Sequence, residues 1–126
     1  MFKIIENLPD NVLGIEVHGK LTHKDYADGF IPLFDARLEK QKPMKVLCVI
    51  ESDFEGIELA AMWDDTAYGI KHWRDISHMA MVCDLGWIKS MMAIFSPFYP
   101  GEIRSYNLFE VAQAKKWICK PESLAA

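Results

Sequence analysis

Residues 2–6 alternate apolar and polar side chains, and residues 12–18 do so again, with the turn cluster Asn7-Leu8-Pro9-Asp10-Asn11 between them. Period-two alternation on both sides of a turn predicts an antiparallel hairpin, ended by Gly19. Thr22, with Asp25 three residues on, then reads as a helix N-cap. Tyr26, Phe30, Leu33, Phe34 and Leu38 follow at helical spacing, and Pro32 inside that pattern predicts a kink or break near Ile31. Residues 44–50 (Met-Lys-Val-Leu-Cys-Val-Ile) are almost continuously apolar, as expected of a central strand covered on both faces. An acidic loop over residues 51–56 leads into a second helix over residues 57–73, whose large apolar residues are Leu59, Met62, Trp63, Ile70 and Trp73. Residues 76–83 read as a further buried strand, and Asp84-Leu85-Gly86 as a turn. Residues 102–106 alternate as a last strand, and residues 108–119 form a final helix with Val111, Ala112, Trp117 and Ile118 inward. The order ββαβαβαβα predicts an α/β fold with a mixed, mostly parallel five-stranded sheet and helices packed on it. Residues 1–120 are expected to form a single domain and residues 121–126 a disordered tail.

Residues 87–99 depart from this regularity. They read Trp-Ile-Lys-Ser-Met-Met-Ala-Ile-Phe-Ser-Pro-Phe-Tyr and have almost no polar face. A surface helix normally keeps one. Thirteen helical residues reach only about 20 Å, too short for a hydrocarbon core of about 30 Å. The segment is therefore buried, covers something apolar, or meets an apolar partner outside the molecule.

The chain has 126 residues, half of them apolar and a quarter charged, within the range of one ordinary globular domain. Its start alternates like a strand, so no signal peptide is expected, and no run is long enough to span a bilayer. A cytoplasmic protein is the expectation. The net charge of −4 is uneven: residues 1–50 balance, residues 51–85 carry −6 and residues 86–126 carry +2. An acidic middle argues against nucleic acid as a partner. Cys48, Cys83 and Cys119 form no CxxC pattern and read as reduced thiols in the core. Neither the four histidines nor the carboxylates after residue 50 show metal-ligand spacing, so no metal is expected. Nucleophile elbows and glycine-rich phosphate loops are absent, and the expectation is no enzyme and no cofactor.

A set of short motifs brings a family into view. Asp53-Phe54-x-Gly56, Asp84-x-x-Trp87, Glu102-Ile103-Arg104-x-Tyr106, and Ala112 with Trp117-Ile118 together resemble the SpoIIAA-like bacterial proteins, relatives of STAS domains that are also compared with CRAL-TRIO lipid-binding domains. The resemblance covers nearly the whole chain. It implies a STAS/SpoIIAA-like β-α superhelix, with membrane association and binding of a small apolar ligand as proposed roles. Anti-sigma factor antagonists in that group carry a phosphorylated serine in an Asp-Ser-Ser-Gly context at the turn into the second helix. Here the turn reads Asp53-Phe54-Glu55-Gly56, without a hydroxyl at that offset.

The expected function is non-enzymatic binding of a small apolar or amphiphilic, lipid-like ligand. The expected ligand-binding residues are Phe54, Met62, Trp63, Trp87, Met91 and Phe95, at the carboxyl ends of the central strands or on the helices that follow, where open α/β sheets receive ligands. Methionines repack easily around apolar guests. Ile88, Lys89, Met92, Ile94, Phe98 and Tyr99 are expected to touch a membrane reversibly at its inner face, with Lys115, Lys116 and Lys120 offsetting the negative charge if the last helix lies near. The alternative is a STAS-type regulatory or interaction module that uses the same surface as a homodimer or partner-protein interface.

Overall fold

The computed structural model describes residues 1–72 and 74–120. The expected tail, and Trp73 at the end of the expected second helix, lie outside these residues. Strand β1 (Phe2–Ile5) pairs antiparallel with β2 (Val12–Val17), in a register that sets Phe2 opposite Val17 and Ile5 opposite Gly14. A two-residue strand β3 (Lys20–Leu21) follows. Thr22 then caps the first helix reciprocally: its N–H donates to Asp25 Oδ2 at 2.9 Å, and the Asp25 N–H donates to Thr22 Oγ1 at 3.2 Å. Residues Asp25–Phe30 wind as a wide π-helical turn, with the Ile31 N–H reaching the Tyr26 carbonyl, and run on into α1 (Ile31–Lys40). The expected break at Pro32 is thus a change of helical pitch. Proline has no N–H and crowds the carbonyl four residues back, and the wider turn absorbs both defects.

The remaining elements are β4 (Met44–Ile50), β5 (Gly56–Ile57), α2 (Leu59–Lys71), β6 (Ile76–Val82), α3 (Gly86–Phe95), β7 (Glu102–Tyr106) and α4 (Val111–Ile118). The sheet runs β1-β2-β4-β6-β7, with only β1 antiparallel, as the pattern predicts. The second and last helices differ from the sequence reading in their limits, and the last also in its inward face. Gly56 and Ile57 belong to a small parallel pair with β3, so the second helix begins at Leu59. Ala112 is exposed, and Ala114 and Ile118 take the inward positions of α4. A 3₁₀ turn at Leu108–Glu110 precedes that helix and shifts its phase, because three residues per turn replace 3.6.

From β2 onward each crossover moves the chain one strand in the same direction. Crossovers of constant hand then deliver α1, α2 and α3 to one face of the sheet. Phe34, Leu38, Ala61, Tyr68 and Ile88 accordingly share one core with Val46, Ile50 and Cys83. The last helix has no further strand to reach and folds back under the other face, where Ala114 and Ile118 cover Leu47, Val49, Ala80 and Val82. The buried Lys45 side chain fastens its end, with Nζ donating to the Lys120 carbonyl at 2.7 Å.

Candidate functional site

Helix α2 is held by its polar tips. The Tyr68 hydroxyl donates to Asp35 Oδ1 on α1 at 2.6 Å, and the Tyr26 hydroxyl donates to Asp65 Oδ1 on α2 at 3.0 Å. Tyr68 packs edge-on against Phe34, with ring centres 5.7 Å apart, and against Phe30 at 6.1 Å. Burial first, and then the Asp35 carboxylate, hold the Tyr68 hydroxyl well above the ordinary tyrosine range. Ala61 and Tyr68 therefore define the core side of α2, and Asp64 and Asp65 its α1 side.

At 3.6 residues per turn, Leu59, Trp63 and Ile70 then fall diametrically opposite the core. Their exposures are 84%, 73% and 65%. Met62 lies on the flank away from α1 and is also exposed. The helix thus turns a continuous apolar stripe to the outside, the reverse of an ordinary surface helix. A stripe of large apolar residues was legible in the sequence. Which side of the helix would face the sheet was not.

Helix α3 buries Ile88 (7% exposed) and tucks Met92 against the same core. Its β7 side is marked by Lys89, whose ammonium donates to Asn107 Oδ1, and by a cleft of about 390 Å³ that Met92, Ala93, Ser96 and Pro97 share with Ile103 and Ser105. The opposite flank carries Trp87, Met91 and Ile94, with Phe98 in the 3₁₀ turn that follows. These positions recur at i, i+4, i+7 and i+11 and form one ridge on the side toward α2. Ile94 is 71% and Phe98 75% exposed. Phe95 is more than a third exposed and stands 6.1 Å from the Tyr99 ring. The Tyr99 hydroxyl donates to the Ile76 carbonyl, and burial pushes its pKa up to about 12.

The expected site residues therefore separate. Trp87, Met91 and Phe95 lie together on α3, on the flank away from β7, whereas Trp63 points outward on α2. Phe54 is half-buried against the core, in the loop that Gly56 closes at a φ of 134°. Of the residues expected to meet a membrane, Ile94 and Phe98 are exposed, but Ile88 is core, Met92 is half-buried and Lys89 and Tyr99 are tied to the β6–β7 side of the sheet. A helix lying on a sheet must bury one face, and Ile88 and Met92 are on it. Lys115 and Lys116 ride on α4 across the sheet from α3, so they do not offset charge beside the ridge.

A polar cluster that the sequence did not announce sits at the carboxyl ends of β2 and β4. His18 lies between two carboxylates, with Nδ1 3.1 Å from both Asp53 oxygens and Nε2 3.2 Å from Glu16 Oε1. The hydrogen bond to Asp53 first, and then that to Glu16, raise its pKa above 6.5. Residues 35 apart in sequence meet here only because β2 and β4 are neighbours. Burial pushes the Cys48 thiol up to about 12, which keeps it protonated and unreactive. Among the described residues, no group of three His, Cys, Asp or Glu is placed to hold a metal, and no helix is long and apolar enough to cross a membrane. A second groove, of about 620 Å³, lies beside the β1–β2 turn among Ile4, Leu8, Asp10, Arg37 and Lys40, away from the expected ligand residues.

Comparison with known proteins gives one family. A family described as SpoIIAA-like matches residues 12–119. No curated protein matches the sequence. Among solved structures, an uncharacterised protein with a SpoIIAA-like fold from Shewanella loihica superposes with a TM-score of 0.75 at 26% identity, over 94% of this chain and 93% of that one.

Proposed function

The chain belongs to the SpoIIAA-like family, and from that premise we propose a non-catalytic binding module that holds an apolar or amphiphilic, lipid-like ligand between α2 and α3 and touches membranes through the α3 ridge. The observation that carries this reading is the ridge Trp87, Met91, Ile94 and Phe98, which is exposed on the same helix that spends Ile88 and Met92 on the core. Met62 on the facing flank of α2, with Phe95 at the base of the ridge, supplies the opposing apolar wall. Burying one large apolar side chain contributes about 1.5–3 kcal/mol. Two or three ridge residues entering an interface would contribute roughly 3–9 kcal/mol before ordering costs, enough for reversible attachment only.

The net charge selects the surface the ridge meets. The chain carries −4, which opposes anionic headgroups and leaves apolar contact as the drive. Binding to neutral phosphatidylcholine vesicles should therefore be weak, little affected by salt, and no stronger on vesicles with added anionic lipid. Flotation of the purified chain with such vesicles, alongside native mass spectrometry after incubation with a long-chain fatty acid, tests the reading. The expected results are a fatty-acid adduct of one per chain and flotation that Ile94→Glu and Phe98→Glu each abolish. A wild-type chain that neither floats nor retains the fatty acid overturns the proposal.

A further inference from the structure

The outward stripe of α2 has a different character from the ridge of α3. About a two-fold midpoint between Thr66 and Ala67, Trp63 and Ile70 exchange places, while Leu59 falls opposite Arg74, beyond the helix end. The small residues stand in the middle and the large apolar ones on either side. The charges differ by end: Glu55 and Glu58 flank the start of the helix, and Lys71 and Arg74 its finish, where Asp75 is taken up by His72 at 2.8 Å.

We propose that this stripe is the interface of a homodimer, in which α2 of two copies cross antiparallel about a two-fold axis between Thr66 and Ala67. An isologous contact requires a patch that complements itself. Antiparallel pairing sets Trp63 of each chain against Ile70 of the other, and the small central residues let the two backbones approach. It also brings the acidic start of one helix beside the basic finish of the other, in the sense that the helix dipoles favour. A parallel pairing would set like charge against like. The cations of a zwitterionic membrane each sit beside a phosphate that repels Glu55 and Glu58, whereas a second copy supplies Lys71 and Arg74. This inference concerns the outward stripe Leu59, Trp63 and Ile70 of α2, and none of these three residues is used in the ligand reading between α2 and α3.

A helix of 13 residues is about 20 Å long. Pairing along that length sits at the low end of specific interfaces, so a dissociation constant in the micromolar range is expected. Sedimentation of the full chain over a concentration series tests the proposal. The expected result is passage from the 14.5 kDa monomer to twice that mass, at a midpoint that rises with salt. Trp63→Glu and Ile70→Glu should each remain monomeric with an unchanged circular dichroism spectrum, since both side chains point outward; Trp63→Ser takes the place of the first if the new charge disturbs the helix. Arg74→Glu should weaken the dimer roughly tenfold, and Glu55→Lys added to it should restore association. Ile94→Glu and Phe98→Glu should leave the dimer intact. A wild type that stays monomeric at roughly 200 µM, well above micromolar dissociation constants, overturns the proposal. So does a dimer that survives Trp63→Glu, or a wild-type monomer that binds vesicles through Trp63.

Discussion

Two isoleucines six residues apart on α3 separate core from exposed ridge. Ile88 is 7% exposed and Ile94 71% exposed. Truncating Ile88 to alanine removes three carbons from a filled core, which costs about 2–5 kcal/mol. A chain of this size has roughly 5–15 kcal/mol of stability in all. With a urea slope of about 1.5 kcal/mol per molar, the unfolding midpoint should fall by roughly 1.3–3.3 M. Ile94→Ala removes the same atoms from a side chain that is already largely in water, and alanine is the better helix former. Its effect should stay within about 0.5 kcal/mol, or roughly 0.3 M in midpoint. Circular dichroism across a urea series, at two protein concentrations so that association is seen as a concentration-dependent midpoint, makes the measurement. If Ile94→Ala lowers the midpoint as far as Ile88→Ala does, the ridge is core and the binding argument built on it fails.

The His18 cluster gives a pH dependence with a definite sign. Its pKa in the folded chain is raised above 6.5, so its stabilising contribution is fully present below the unfolded value and is lost as pH rises through the folded one. A proton NMR titration should find the His18 ring titrating above the ordinary histidine value, and Asp53→Asn should return it toward that value. At Gly101 an added Cβ would lie 2.2 Å from the Ser77 carbonyl oxygen, so Gly101→Ala should cost about 1–3 kcal/mol, read as a lower urea midpoint. At Gly69, inside α2, a Cβ would meet nothing within 4 Å, and Gly69→Ala should instead stabilise by about 0.5–1 kcal/mol in the same assay. Tyr68→Phe removes the 2.6 Å hydrogen bond to the half-buried Asp35 and should cost about 0.5–1.5 kcal/mol.

The strands, their order along the chain and most helix limits were legible in the sequence because each depends on local periodicity. Alternation marks residues 2–6 and 12–18, and the continuous apolar run of residues 44–50 announces the central strand. Thr22 with Asp25 announces a helix start, and both bonds of that cap form. The two-residue pair β3–β5 was not legible, because two residues carry no period and the pairing joins positions 36 apart. The apolar excess of residues 87–99 was plain, but its division between core and surface was not. That depended on α3 lying across β6 and β7, which turned Ile88 and Met92 inward and left Ile94 and Phe98 out. The same holds for α2. Its sequence offers two candidate inner faces, and hydrophobicity alone favours the one with Leu59, Trp63 and Ile70. The fold chose the other, because Tyr68 completes the aromatic cluster with Phe30 and Phe34 while its hydroxyl, and that of Tyr26, find carboxylates between α1 and α2. A chain's pattern states how much apolar surface each helix carries. Which part of that surface remains exposed is decided when neighbouring elements compete to cover it, and here that competition left α2 and α3 each with an uncovered apolar stripe.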